Sequence, residues 1–367
     1  MVEVEEEETP SLRKYKSCRV HEHMQDHCLQ KGEEYFFKIL DNRNSHSVSL
    51  TPTLRMALHL DKEADRSYID QLRNEKVDQL SSLILLSPQD LQRCLPSGMV
   101  WPIQLMYLSF KGCILGALPS SIGSLSFLEN LDLRVSSQII IPNVLRKLGK
   151  LVYLYLLLEF KMPNNDKLYL KSLKEIGILE NFDPGQCNVA DLFEMMSLRY
   201  LSTTVEGIME DLEQIIYGMD MTSENASVLY SSIRIKNFDC YTEKRHSVFR
   251  KLLECKILRT LHMDGHLGQI PVYYNITRSL TKIVLIGSEL KEEHMATLDK
   301  LPKLQVLVLQ DNAFVGEKMI CVKSGFKELK QLELLTLRFL ETWEVEEGSM
   351  PVLSILAVKN CEFYRMN

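Results

Sequence analysis

The sequence predicts an α/β solenoid, a parallel sheet built one short strand per coil, and three observations predict it. The pattern L-x-x-L-x-L, with aliphatic substitutes, recurs about a dozen times in order from Leu80 onward. Successive copies start 21 to 32 residues apart, about 25 on average, the period of leucine-rich coils. Between copies the spacing changes to prolines followed by apolar residues three apart, the mark of short helical or 3-10 turns. One copy would mean little in a leucine-rich chain. A dozen in order is decisive.

Clear copies are Leu80/Leu83/Leu85, Leu105/Leu108/Phe110, Leu128/Leu131/Leu133 and Leu151/Leu154/Leu156. They continue as Leu173/Ile176/Ile178, Leu258/Leu261/Met263, Leu280/Ile283/Leu285 and Leu304/Leu307/Leu309, then Leu332/Leu335/Leu337 and Leu353/Leu356/Val358. Leu198/Leu201/Thr203 and Tyr230/Ile233/Ile235 are poorer. In each, the last two positions are alternate residues of a strand and point into the core. No coil buries that face alone, so coils stack. The expected fold is a leucine-rich-repeat solenoid: a curved parallel sheet with a helical or 3-10 convex side. Leu118-Pro119 to Leu125 and Ile141-Pro142 to Leu148 are convex segments. Between 203 and 257 the repeats lengthen, and Ile208 to Met219 reads as a helical insertion or irregular coil. Cys113, Asn312 and Cys361 follow strands, where a small or polar residue either bonds a neighbouring coil or is simply buried.

Composition excludes several classes. Hydrophobic content of 45% with 25% charged residues belongs to a folded protein, not a disordered one. A net charge of -6 gives no field to draw nucleic acid, and no apolar run reaches the ~18 residues of a membrane span. The first ten residues lack a secretory leader's basic start, and nine scattered cysteines fit a reducing compartment. A cytoplasmic protein is expected. Asn225 and Asn275 head sequons that would matter only on a secretory route.

Residues 1–45 differ from the rest. Val2 and Val4, then Tyr15 to Val20, read as two strands around an acidic turn of Glu3 to Glu8, and residues 21–31 carry Met24, Cys28 and Leu29 at helical spacing. This is the remnant of a winged-helix end, with the leucine-rich-repeat domain at 50–367. His23 and His27 stand one helical turn apart with His21 nearby, but no third ligand has suitable spacing, so no metal is expected.

Cys18-Arg19-Val20-His21-Glu22 resembles the Met-His-Asp motif that closes a nucleotide-binding region. Leu118 to Leu133, Leu301 to Asn312, and Val315 through Gly316-Glu317-Lys318-Met319 and Trp343 to Met350-Pro351 resemble the repeats that follow it. Together they resemble the carboxy-terminal portion of a plant intracellular immune receptor of the coiled-coil, nucleotide-binding, leucine-rich-repeat class, the RPP13-like disease resistance proteins. The resemblance implies a part in plant innate immunity, with His21 contacting the β-phosphate of ADP. Val20 stands where Met is usual and Glu22 where Asp is. No G-x-x-x-x-G-K-[ST] loop occurs, so no cofactor is expected here; ADP or ATP would need an upstream nucleotide-binding domain in a longer form. The partners implied are a pathogen effector or modified host protein and the receptor's own nucleotide-binding region.

Recognition positions follow from the alternation. Tyr107, Arg134, Tyr153, Tyr155, His262, Val284, Ile286, Val306, Val308 and Arg338 are expected on the exposed strand face. Tyr153 and Tyr155 form an aromatic pair suited to an interface. Val284, Ile286, Val306 and Val308, with Leu334 and Ile355, predict an apolar patch that meets a partner or is covered by the protein's own flanking segments. No nucleophile, base and stabiliser converge, so an enzyme is not expected. The function expected is an autoinhibitory sensor domain of a disease-resistance receptor; the alternative is a truncated adaptor or decoy scaffold without signalling ability.

Overall fold

Leucine columns organise the molecule. The computed structural model describes residues 2–9, 12–20, 37–40, 54–59, 79–86, 101–224, 230–267, 270, 276–361 and 365–366. They fall into two compact units, Met1–Ile176 and Gly177–Asn367.

In the first unit β1 (Val2–Thr9) and β2 (Leu12–Val20) pair antiparallel, Val2 opposite Val20 and Thr9 opposite Leu12. The acidic run therefore lies within a strand, not in the expected turn. A parallel ladder follows: β3 (Phe37–Leu40), β4 (Arg55–His59), β5 (Ser82–Leu86), β6 (Tyr107–Ser109) and β7 (Asn130–Asp132). On the back lies β8 (Ile139–Ile140), after which β9 (Tyr153–Tyr155) rejoins the ladder and β10 (Phe160–Lys161) pairs parallel with β8. The ladder starts at Phe37, before position 50, and β3 and β4 were missed because neither carries the full leucine pattern. Met56, Leu83, Leu108, Leu131 and Leu154 stand opposite one another as one column, each at most 1% exposed. The proline turns become 3-10 helices, Ser120–Ser124 and Leu145–Lys147, which bury Ile122 and Leu145 against the same core. His21 and the helix read over 21–31 lie outside the described residues.

The second unit continues with β11 (Ile178–Phe182), β12 (Tyr200–Val205), β13 (Tyr230–Ile235), β14 (Leu258–Asp264), β15 (Lys282–Ile286) and β16 (Val306–Gln310), all parallel. β17 (Lys318–Cys321) lies on the back, β18 (Gln331–Leu335) on the ladder, β19 (Thr342–Val345) on the back, β20 (Ile355–Lys359) on the ladder and β21 (Arg365–Met366) on the back. Ile233, Leu261, Ile283, Leu307 and Leu332 form the core column. The long coils carry α1 (Met209–Glu224) and α2 (Glu243–Glu254), and α3 (Glu292–Leu298) follows later. Leu212, Ile215, Ile216 and Met219 recur at i, i+3, i+4 and i+7, so α1 buries one stripe. Thr242 caps α2, its hydroxyl accepting from the Arg245 amide at 3.3 Å. Among the described residues no helix is long and apolar enough to cross a membrane.

Two expected registers shift. The stretch Leu329 to Leu337 holds two overlapping copies of the motif, and the structure uses Leu329/Leu332/Leu334 rather than Leu332/Leu335/Leu337. Leu334 is fully buried beside Leu309, and Leu335 faces out. Likewise Leu179, opposite Leu201, enters the core, whereas Ile178 does not.

Left-handed residues follow many strands, Gly112, Asn237, Gly287, Asp311, Thr336 and Asn360, and Asn181 takes the same conformation within β11. Gly207 is the tightest related turn, because a Cβ there would stand 2.3 Å from the Asn237 carbonyl oxygen. The residues beyond them tie coils together. Cys113 donates its thiol to the Leu85 carbonyl (3.0 Å) and Cys361 to that of Leu334 (3.5 Å), while the Asn312 side-chain oxygen accepts from the Arg338 amide (3.1 Å). All three therefore bond neighbouring coils, the cysteines to carbonyls rather than amides.

Leu131→Ala opens a cavity in the middle of the first column and is expected to cost about 2–5 kcal/mol in chemical denaturation. Asp299, at the end of α3, is 4% exposed and its carboxylate has no hydrogen-bond partner among the described residues. Burial raises its pKa, with Lys300 opposing, so stability rises as pH falls from neutrality through the folded pKa towards the unfolded one. Asp299→Asn is expected to raise stability at pH 7 by about 1 kcal/mol, a gain that melting curves should show shrinking towards pH 4.

Candidate functional site

Alternation leaves every second strand residue facing solvent, and each unit offers one such face. In the first unit Tyr107, Asn130 and Tyr153 form one row across β6, β7 and β9, and Ser109, Asp132 and Tyr155 form the next. Arg134, just beyond β7, folds back onto this second row. Its Nε donates to Asp132 Oδ1 (2.9 Å), its Nη2 to Asp132 Oδ2 (2.6 Å), and its guanidinium carbon lies 4.5 Å from the centre of the Tyr155 ring. A bidentate pair over an aromatic face is a preorganised arrangement. Tyr155 is consequently 6% exposed and Tyr153 38%, so only one of the expected tyrosine pair is open to a partner. Tyr107 is half-buried; burial raises its phenol pKa, opposed by the Ser109 hydrogen bond and Arg134, with Asp132 and Tyr155 adding to the rise.

In the second unit Thr204, Arg234, His262, Val284, Val308 and Glu333 make one row across β12 to β18. Ser232, Thr260, Lys282, Val306 and Gln331 make the row beside it. The expected apolar patch is smaller than its sequence positions imply. Val306 and Val308 are each 9% exposed, because short branched side chains sit below the longer Lys282, Gln331 and Glu333 beside them. Gln331 Nε2 donates to Glu333 Oε1 at 2.6 Å, closing that side. Val284 and Ile286 remain half-buried, Leu334 leaves the face for the core, and Ile355 is exposed on β20. Arg338 is exposed in the turn after β18 rather than on a strand.

The polar half of the face lies on β12 to β14. Tyr200 and Tyr230 stack with centroids 5.1 Å apart, and the Tyr230 hydroxyl meets Thr260 Oγ1 at 2.8 Å. Burial raises the Tyr230 pKa, against the Thr260 hydrogen bond and Arg259. His262 is lowered to about 4, first by burial and then by the charges of Arg234, Lys282 and Lys236, so it is neutral at physiological pH. Asp132 was an expected outward position, Tyr230 was read only as the first motif position of a poorer copy, and Tyr200 and Arg234 escaped sequence reasoning. Arg234 was legible, since it lies between the two inward isoleucines of a recognised copy; the tyrosine stack needs the observed register. Among the described residues no group of three or more His, Cys, Asp or Glu could hold a metal ion. His21, the residue the resemblance assigns to ADP, is outside them, and the sequence carries no G-x-x-x-x-G-K-[ST] phosphate loop.

Comparison with known proteins bears on these faces. Residues 75–366 match the model of a leucine-rich repeat region. The chain belongs to the leucine-rich repeat family. Such domains are protein-interaction modules. It is 30% identical to the probable disease resistance RPP8-like protein 2 of Arabidopsis thaliana, covering 99% of this chain and 42% of that protein. It is also 30% identical to the disease resistance RPP8-like protein 3 of the same plant, over 95% of this chain and 40% of that one. The chain thus spans about two fifths of the length of these curated relatives. Among solved structures, a leucine-rich-repeat protein of Leptospira interrogans is similar at 17% identity and a TM-score of 0.48, over 90% of this chain and 97% of that one.

Asp132→Ala removes the acid that holds Arg134 over Tyr155. It is expected to lower stability by about 1–3 kcal/mol and to increase quenching of tyrosine fluorescence by a soluble quencher. Unchanged quenching would show that the clamp does not shield the ring.

Proposed function

We propose that this chain is the leucine-rich-repeat sensor portion of a plant disease-resistance receptor. In this reading its strand faces bind a pathogen effector or a modified host protein and, until then, the receptor's own nucleotide-binding region, so holding the receptor inactive. The observation that carries the reading is the 30% identity to a disease resistance protein over 99% of this chain. The faces support it: Tyr153 is an exposed aromatic anchor, and Val284 and Ile286 lie in an apolar strip bordered by polar groups, the composition of a protein contact. The protein works in the cytoplasm, and it binds rather than catalyses.

Val284→Glu with Val308→Glu tests this. The double variant places two carboxylates on adjacent strands in the strip. Co-precipitation from leaf tissue with the nucleotide-binding region of RPP8-like protein 2 is expected to fall at least tenfold. No association by the unaltered chain, or equal association by the variant, would count against the proposal.

A further inference from the structure

The polar half of the second unit's face is electrostatically incomplete. Arg234 and Lys282 are half-buried on β13 and β15, and among the described residues neither is held by a carboxylate or by any hydrogen bond. Their neighbours are otherwise occupied. Lys236 is paired with Glu206 at 3.2 Å, and the Arg259 guanidinium is turned to the carbonyls of Lys256 and Ser279. Between the two cations stands His262, directly opposite Arg234 on one side and Val284 on the other. The acids near Arg234 in register are Asp264, two residues along β14 and opposite Ile286, and Glu206, already taken by Lys236 and Asn237. On the Lys282 side stands Glu333, two strands away and accepting from Gln331. Two partly desolvated cations with no counter-charge are unfavourable by themselves, and an anion completes them.

We propose that the solvent face of β13 to β15 binds an acidic segment of a partner protein, seating two of its carboxylates against Arg234 and Lys282 with His262 between them. This deepens the reading of the face as a partner surface and rests on it. The two cations are rooted two strand spacings apart across the sheet and two residues apart along it, since Lys282 precedes Val284 by two, which is about 12 Å in all. That separation suits two acidic side chains of an extended peptide better than one compact tetrahedral group, since alternate residues of such a peptide lie about 7 Å apart and long cationic side chains close the remainder. Ser232 and Thr260, in the adjoining row, supply hydroxyls, and the Tyr200–Tyr230 stack borders the site.

The histidine gives the site a pH signature. The groups facing it are Arg234 and Lys236 from β13, Thr260 and Asp264 along its own strand, and Lys282 and Val284 from β15. Burial and the cations hold its pKa at about 4 in the free protein. Carboxylates seated beside it favour the imidazolium, so binding takes up a proton and strengthens as pH falls towards 5.5, where peptide carboxylates are still ionised.

The test uses the full chain and a fluorescein-labelled peptide of alternating Glu and Ser, read by anisotropy at low salt. Peptides with Gln or phosphoserine in place of Glu are the comparison arms. The Glu peptide is expected to bind at least tenfold more tightly than the Gln peptide. Arg234→Gln with Lys282→Gln should remove that preference, while Arg234→Lys with Lys282→Arg, which keeps both charges, should retain it. Affinity should rise several-fold from pH 7.5 to 5.5, and His262→Gln should flatten the rise. Equal binding of the Glu and Gln peptides, or full binding by the doubly neutralised variant, overturns the proposal. Phosphoserine peptide binding more than tenfold tighter than the Glu peptide would overturn the carboxylate assignment in favour of a phosphoryl site. Since the peptide reads this site directly, its failure leaves the Val284 and Val308 contact standing, and loss of that contact leaves the peptide result interpretable.

Discussion

The structure depends on the lateral contact between equivalent leucines of successive coils. Leu108 and Leu131 are buried because each has a leucine on either side, at the strand spacing. Full burial of such a side chain stabilises by roughly 1.5–3 kcal/mol, so one column of five outweighs any polar contact on the surface. The same ladder fixes the register of the outward residues, and through it every feature of the two faces. Arg134 can clamp Asp132 over Tyr155 because β7 and β9 are held with Asp132 and Tyr155 side by side.

Side-chain length then shapes the faces. Valines on β16 sink between longer neighbours, so a run that is apolar in sequence presents a narrow strip rather than a broad patch. Farther along the same rows Arg234, His262 and Lys282 concentrate positive charge and polar groups on a protein whose overall balance is negative. Local arrangement, not net charge, decides what such a surface attracts. The apolar strip and the cationic cluster adjoin at Val284, which makes one continuous surface of mixed chemistry.

Much of this was legible in the sequence. Period and alternation give the strands, the prolines give the back-side turns, and of the two readings left open for Ile208 to Met219, helical insertion or irregular coil, the structure has the helix, at Met209–Glu224. Local pattern failed where it was degenerate. Leu329 to Leu337 satisfies the motif twice, and only pairing with β16 selects Leu334 for the core. At β3 and β4 the motif is too sparse to be seen, yet β4 pairs with β5 and β3 with β4. Of the candidate site, position on the face was readable but exposure was not: Tyr155 and Val306 occupy outward positions and are covered by neighbours contributed from other coils.

The left-handed residue that closes many of the strands has one more effect. It turns the chain out of the sheet at a fixed point, so whatever follows travels over the back before returning to the next strand. The 16-residue helix between β12 and β13 is accommodated this way, with Tyr200 still opposite Tyr230. Segment length on the back is thereby uncoupled from register on the front. A foreign peptide, a fluorophore-bearing loop or an affinity tag grafted into that return path has a place to go without shifting the surface that does the binding.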